Sequence, residues 1–130
     1  MNNIYNKVEF NNLGNGIIEN IVKGGVSIEY EDVLQIKETN QSLANGKKYV
    51  LLISSEPFAT ISKAARELSA SKEFAETTLA KAILVDSLGQ TLVVNFYLSI
   101  NKPKIKTKMF SMKDRDKAIE WLKTILEKSK

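Results

Sequence analysis

The 130-residue chain contains no cysteine and no histidine, and only two prolines and one tryptophan. Without cysteine there is no disulfide, thiolate nucleophile, zinc–thiolate site or redox motif. Without histidine, the usual neutral-pH general base and the commonest transition-metal ligand are missing. Carboxylates and lysines could still move protons, and oxygen ligands could hold magnesium or calcium. Most hydrolase and oxidoreductase sites are nevertheless disfavoured, so the expectation is a non-enzyme with no metal and no cofactor. Long hydrophobic runs are also absent: none approaches the ~20 residues that span a bilayer. Met1-Asn2-Asn3-Ile4-Tyr5 has neither the basic nor the apolar region of a secretory signal. A cytoplasmic location is therefore expected.

What is present fits one domain over residues 1–130. Hydrophobic residues make up 43% and charged residues 26%, enough for a real core and against wholesale disorder. The formal charge of +4 is unevenly placed, with ten Lys+Arg against four Asp+Glu from Asn101 to Lys130 and nine against eleven before it. Such a basic last third could meet phosphate or an acidic protein face. A lysine-solvated surface explains it more simply.

Glycines punctuate apparent turns, at Gly14 and Gly16, at Gly24-Gly25 and at Gly46. Ile4, Val8 and Phe10, then Ile17 to Val22, predict two strands joined as a hairpin. Ser27 followed by Glu29, Glu31 and Asp32 predicts a helix start, with Tyr30, Val33, Leu34 and Leu43 facing inward. Tyr49–Ile53 and Ala80–Val85 are short apolar runs, as in strands buried on both faces. Between them, Ser62–Leu68 and Ser71–Thr77 predict two short helices.

Residues 87–101 are ambiguous. Val93, Val94, Phe96 and Tyr97 favour a strand by propensity. Ser87 and Gln90 instead match a capping box, and Leu88, Leu92, Phe96 and Ile100 fall at helical spacing. Helix is the reading adopted. Lys104–Met109 alternates as a strand with one wet, lysine-bearing face, and Ala118, Trp121, Leu122 and Ile125 line a final helix. Alternating helices and strands imply a sheet that is largely parallel in its later part.

This order resembles the STAS fold of anti-sigma-factor antagonists (SpoIIAA-like), and more closely the small bacterial STAS/Sec14-like proteins. The likeness rests on Lys48–Ser54 leading through Thr60–Arg66, on Ala80–Ser87, and on Asn95–Leu98 through Lys102-Pro103 to Met109-Phe110, closed by Ala118–Leu122. It implies an α/β fold with a mixed sheet of about five strands, an N-terminal β-hairpin and a C-terminal helix. In that family the segment after the strand matching Tyr49–Ile53 carries a phosphorylatable hydroxyl, typically in an Asp-x-Ser pattern. Here Ser54 stands where the aspartate would fall, and a regulatory hydroxyl carries over only onto Ser54, Ser55, Thr60 or Ser62. The resemblance implies a regulatory or protein-interaction module, monomeric or homodimeric, with a protein partner.

The competing expectation is a small-ligand or lipid-binding domain with an apolar pocket beside the 87–101 helix, using Arg66 and Asn95 as polar contacts. Each singled-out residue also has a plain reading. Thr60 or Ser62 would cap a helix. Arg66 would lie on the surface, and Asn95 would hydrogen-bond a neighbouring loop or face solvent. Lys104, Lys106 and Lys108 would protect an edge strand, since no aromatic is interleaved to stack bases, which disfavours nucleic acid as a partner. The acidic clusters at Glu29–Asp32 and Asp114–Asp116 complement helix dipoles. No glycine-rich phosphate loop is present.

Overall fold

The computed structural model describes residues 3–129. Strands β1 (Val8–Gly14), β2 (Ile17–Val22), β4 (Tyr49–Ser55), β6 (Thr78–Val85) and β7 (Lys106–Ser111) form one five-stranded sheet in that spatial order. The β1–β2 hairpin is antiparallel, and β2, β4, β6 and β7 run parallel. The hairpin turns at Asn15 with φ +56° between Gly14 and Gly16 at +89° and +88°, a run that calls for residues tolerant of left-handed backbone. The expected α/β architecture and mixed sheet are therefore present.

Five helices cover the sheet: α1 (Tyr30–Leu43), α2 (Lys63–Ser69), α3 (Lys72–Ala75), α4 (Leu88–Phe96) and α5 (Arg115–Lys128). A π-helical turn, Tyr97–Asn101, continues α4 and ends at Lys102 in the left-handed region. Because side chains alternate along a strand, the sheet has two buried faces. Val50, Leu52, Ala80, Ala82 and Leu84 pack with Ala118 and Leu122 of α5. Ile18, Tyr49 and Leu51 pack on the other side with Val33 of α1, Ala65 and Leu68 of α2, and Phe74 of α3.

Three local expectations need correction. Ile4, expected on the first strand, lies in a 3-10 turn, Ile4–Asn6, before β1 begins at Val8. Ser27 does not cap α1: Ser27–Ile28 forms a short strand, β3, paired in parallel with β5 (Thr60–Ile61). The cap is Glu29, in a reciprocal capping box with Asp32, whose carboxylate also takes Lys7 at 2.7 Å. Tyr30 and Leu34, expected inside, are exposed, because α1 turns Val33 and Asn40 toward the sheet instead. The lysine-bearing strand is β7, at the sheet edge, as its alternation implied.

Candidate functional site

The parallel strands β2, β4 and β6 end on one side of the molecule, and α1, α2 and α4 begin there. In open α/β sheets ligands and partners commonly meet the chain at this end. Ser62 caps α2 by accepting from the Ala65 amide at 3.2 Å, and Ser87 caps α4 by accepting from the Gln90 amide at 3.1 Å. Gln90 then works in both directions. Its Oε1 accepts from the Asp86 amide, and its Nε2 donates to the Ser55 carbonyl at 3.0 Å. The start of α4 is thereby tied to the end of β4.

Beyond that tie, α4 hardly joins the core. None of its residues from Leu88 to Phe96 is buried, although the segment is strongly apolar. Leu88 is 75% exposed, Leu92 61%, Val93 55%, Phe96 48% and Ile100 62%. Leu88, Leu92, Phe96 and Ile100 stand four residues apart and form one ridge. From Ser87 to Asn101 there is no charged side chain. Phe58, in the β4–β5 loop at φ +67°, is 90% exposed and adds a further apolar projection. Contiguous exposed apolar surface of this kind marks a docking surface more often than single scattered residues do.

Beneath α4 lies a chain of polar groups. Lys81, on β6, is 3% exposed. Its Nζ donates to Tyr97 Oη at 2.7 Å and to the Ser69 carbonyl at 3.2 Å, and it lies 5.0 Å and 5.4 Å from the Tyr97 and Phe74 ring centroids. Ser69 Oγ bonds Tyr97 Oη at 3.0 Å. No carboxylate of the described residues pairs with Lys81, and burial pulls its pKa down to about 7. Burial likewise pushes Tyr97 up to about 12, opposed by its bond to Ser69. The Tyr97 and Phe74 rings thus both border the Lys81 ammonium.

The hydroxyls carried over from the family pattern are scattered by the fold. Ser54 is buried, Ser55 and Ser62 are partly covered, and Thr60 is exposed on β5. Arg66 donates from Nη1 to the Ile61 carbonyl at 2.9 Å and lays its guanidinium 5.5 Å from the Phe96 ring centroid. Its Nε is buried without a hydrogen-bond partner. Asn95 is exposed on α4, and its backbone carbonyl accepts from Ser99 Oγ. Arg66 thus reaches the base of the α4 ridge, while Asn95 stands on its outer surface. A groove of about 910 Å³ opens at the opposite end of the sheet, beside the β1–β2 turn and the C-termini of α1 and α5.

Sequence reasoning missed Lys81, whose signal was a single lysine inside the apolar run Ala80–Val85. It also missed the outward aim of α4. The available signal was the lack of any charge over fifteen residues, because a surface helix normally carries charge on its wet face.

The chain matches, over residues 12–126, the family model described as Domain of unknown function (DUF7793). Among solved structures it is similar to an uncharacterised protein of the DUF3478 family with a SpoIIAA-like fold from Shewanella loihica PV-4. The TM-score is 0.58 at 18% identity, covering 88% of this chain and 91% of that one. No curated protein matches. At that identity the likeness shows the fold, and the fold is SpoIIAA-like.

Proposed function

Since this chain belongs to the DUF7793 family and carries a SpoIIAA-like fold, we propose that it is a non-catalytic interaction module that docks a protein partner through α4. The observation that carries this reading is a helix that is apolar, uncharged and yet buries none of its own residues from Leu88 to Phe96. Leaving such a surface wet forgoes about 25 cal/mol for every Å² that a partner would cover. The Gln90–Ser55 bond links this helix to the end of β4, from which the chain runs on to Thr60 on β5 and Ser62 at the start of α2. Thr60 is the exposed hydroxyl there, and a phosphate on it would place about two negative charges beside the docking end.

The competing reading, a small apolar ligand bound beneath α4 with Arg66 and Asn95 as polar contacts, has less support: Lys81 there is 3% exposed, and its Nζ is already held by Tyr97 Oη at 2.7 Å and the Ser69 carbonyl at 3.2 Å.

Photo-crosslinking distinguishes the two. A benzoylphenylalanine replacing Leu92 should form a protein–protein adduct in the native cells, and one replacing Lys123 on α5 should not. Lipid adducts alone, or equal adducts from both positions, would defeat the interaction reading.

A further inference from the structure

The α4 ridge has a property that favours one partner over others: it matches itself when turned end for end. Asp86 immediately precedes the helix cap, and Lys102 immediately follows the π-helical turn. Both are exposed, and neither forms an ion pair among the described residues. Between them stand Leu88, Leu92 and Phe96, spaced evenly over about 12 Å of α4, and Ile100 in the π-helical turn that follows. We propose that a second copy of this chain covers α4, as an antiparallel two-fold helix pair, with Asp86 of each copy facing Lys102 of the other.

Three arguments support this partner, and all of them rest on reading α4 as the docking face. The first is charge. An antiparallel pair sets two opposite-charge contacts at its ends and opposes the helix dipoles favourably. A parallel pair would set Asp86 on Asp86 and Lys102 on Lys102. The second is shape. An isologous contact needs a surface complementary to itself, and the row Leu88, Leu92 and Phe96 at i, i+4 spacing can seat beside the same row of a second copy, ridge into groove. The third is area. With side chains of this size offering on the order of 200 Å² each, the exposed fractions leave roughly 600 Å² of apolar surface on one helix. That approaches the roughly 800 Å² each partner gives to a standard interface, and the polar rim at Gln90, Thr91, Asn95 and Ser99 can supply more.

Sedimentation velocity between 1 and 100 μM tests the pairing with three proteins. The wild type should be a dimer. Asp86→Lys and Lys102→Asp should each weaken dimerisation about tenfold, because each homodimer then sets like charges together. An equimolar mixture of the two should regain wild-type affinity, because only the mixed dimer restores opposite charges at both ends. Unchanged far-UV circular dichroism of each variant would show that the fold is intact. A wild type that stays monomeric at 100 μM, or a mixture no tighter than its components, overturns the second-copy proposal. If that monomer still crosslinks a different protein through position 92, the interaction reading stands and this proposal alone fails. If it instead binds vesicles of phosphatidylcholine and phosphatidylglycerol, and Leu92→Glu releases it, both fail.

Discussion

On one face of the sheet, α5 lays Ala118 and Leu122 against Val50, Leu52, Ala80, Ala82 and Leu84. On the other, Lys81 and the pair Asn20–Asn40 are buried among Ile18, Leu51 and Phe74, and α4 leaves its ridge outside. Alanines at 80, 82 and 118 let α5 come close, and Glu19 is matched by Arg115 at 3.0 Å where the helix begins. The α5 face is finished within the chain, as close-packed interiors are. The opposite face buries polar groups and leaves apolar ones wet. The comparison teaches where function is to be sought, because stability alone would select neither feature.

The largest expected effect of a single substitution breaks the comparison at its finished side. Leu122→Ala should cost about 3 kcal/mol in urea unfolding, since Leu122 is fully buried and little can collapse into the void. A loss below about 1 kcal/mol would mean that the α5 face is not the rigid one.

The next effect concerns Lys81 and has the opposite sign. In the unfolded chain a lysine holds its proton up to 10.5, whereas in the folded protein Lys81 releases it at about 7. Between those values the unfolded state binds more protons, so stability rises with pH, at up to about 1.4 kcal/mol per unit. Tyr97 acts in reverse. The folded state keeps its proton to about 12 while the unfolded one loses it near 10.0, so stability falls over that interval. Urea midpoints should therefore climb from pH 7 and turn over near pH 10. Lys81→Met should remove the climb, keep the fall, and stabilise the protein at pH 7 by about 2 kcal/mol. A midpoint flat from pH 7 to 10 in the wild type would show that Lys81 is not titrating in the core.

The smallest effect sharpens the contrast between the helices. Leu92→Ala on α4 should change stability by less than about 0.5 kcal/mol in dilute protein, although it removes the same atoms as Leu122→Ala. A larger loss would place Leu92 inside the fold.

Much of the architecture was legible because it is local. Tyr49–Ile53 is a continuous apolar run and Ala80–Val85 is one broken only by Lys81, the composition expected of strands covered on both sides. The ambiguity over residues 87–101 was decided by Ser87 and Gln90, and the structure shows why. Their bonds hold the first turn before any packing contributes, although the return bond goes to the Asp86 amide rather than to that of Ser87.

What stayed hidden is non-local. Ser27–Ile28 pairs with Thr60–Ile61 across more than thirty residues, which no local pattern announces, and so the cap passed to Glu29. Periodicity grouped Leu88, Leu92, Phe96 and Ile100 on one face without telling what that face would meet. The apolar neighbours of Lys81 placed it in a core strand, but its partners Ser69 and Tyr97 come from segments twelve and sixteen residues away.

The Asn20–Asn40 pair bears on how the molecule avoids folding errors. Each side-chain amide donates to the other's carbonyl at 2.9 Å, from the middle of β2 to the last turns of α1. Both residues are almost fully buried, so water cannot replace either bond. A hydrophobic contact tolerates a helix that has slid or rotated slightly, because one methyl can stand in for another. A doubly bonded amide pair does not, and each orphaned group would cost about 1–3 kcal/mol. The pair therefore acts as a key between helix and sheet, penalising every alignment of α1 but one. That fixed alignment also fixes where α1 enters, next to the β3–β5 pairing that carries Thr60. Proofreading of one helix in the interior thus sets the geometry of a surface loop some twenty residues further along the chain.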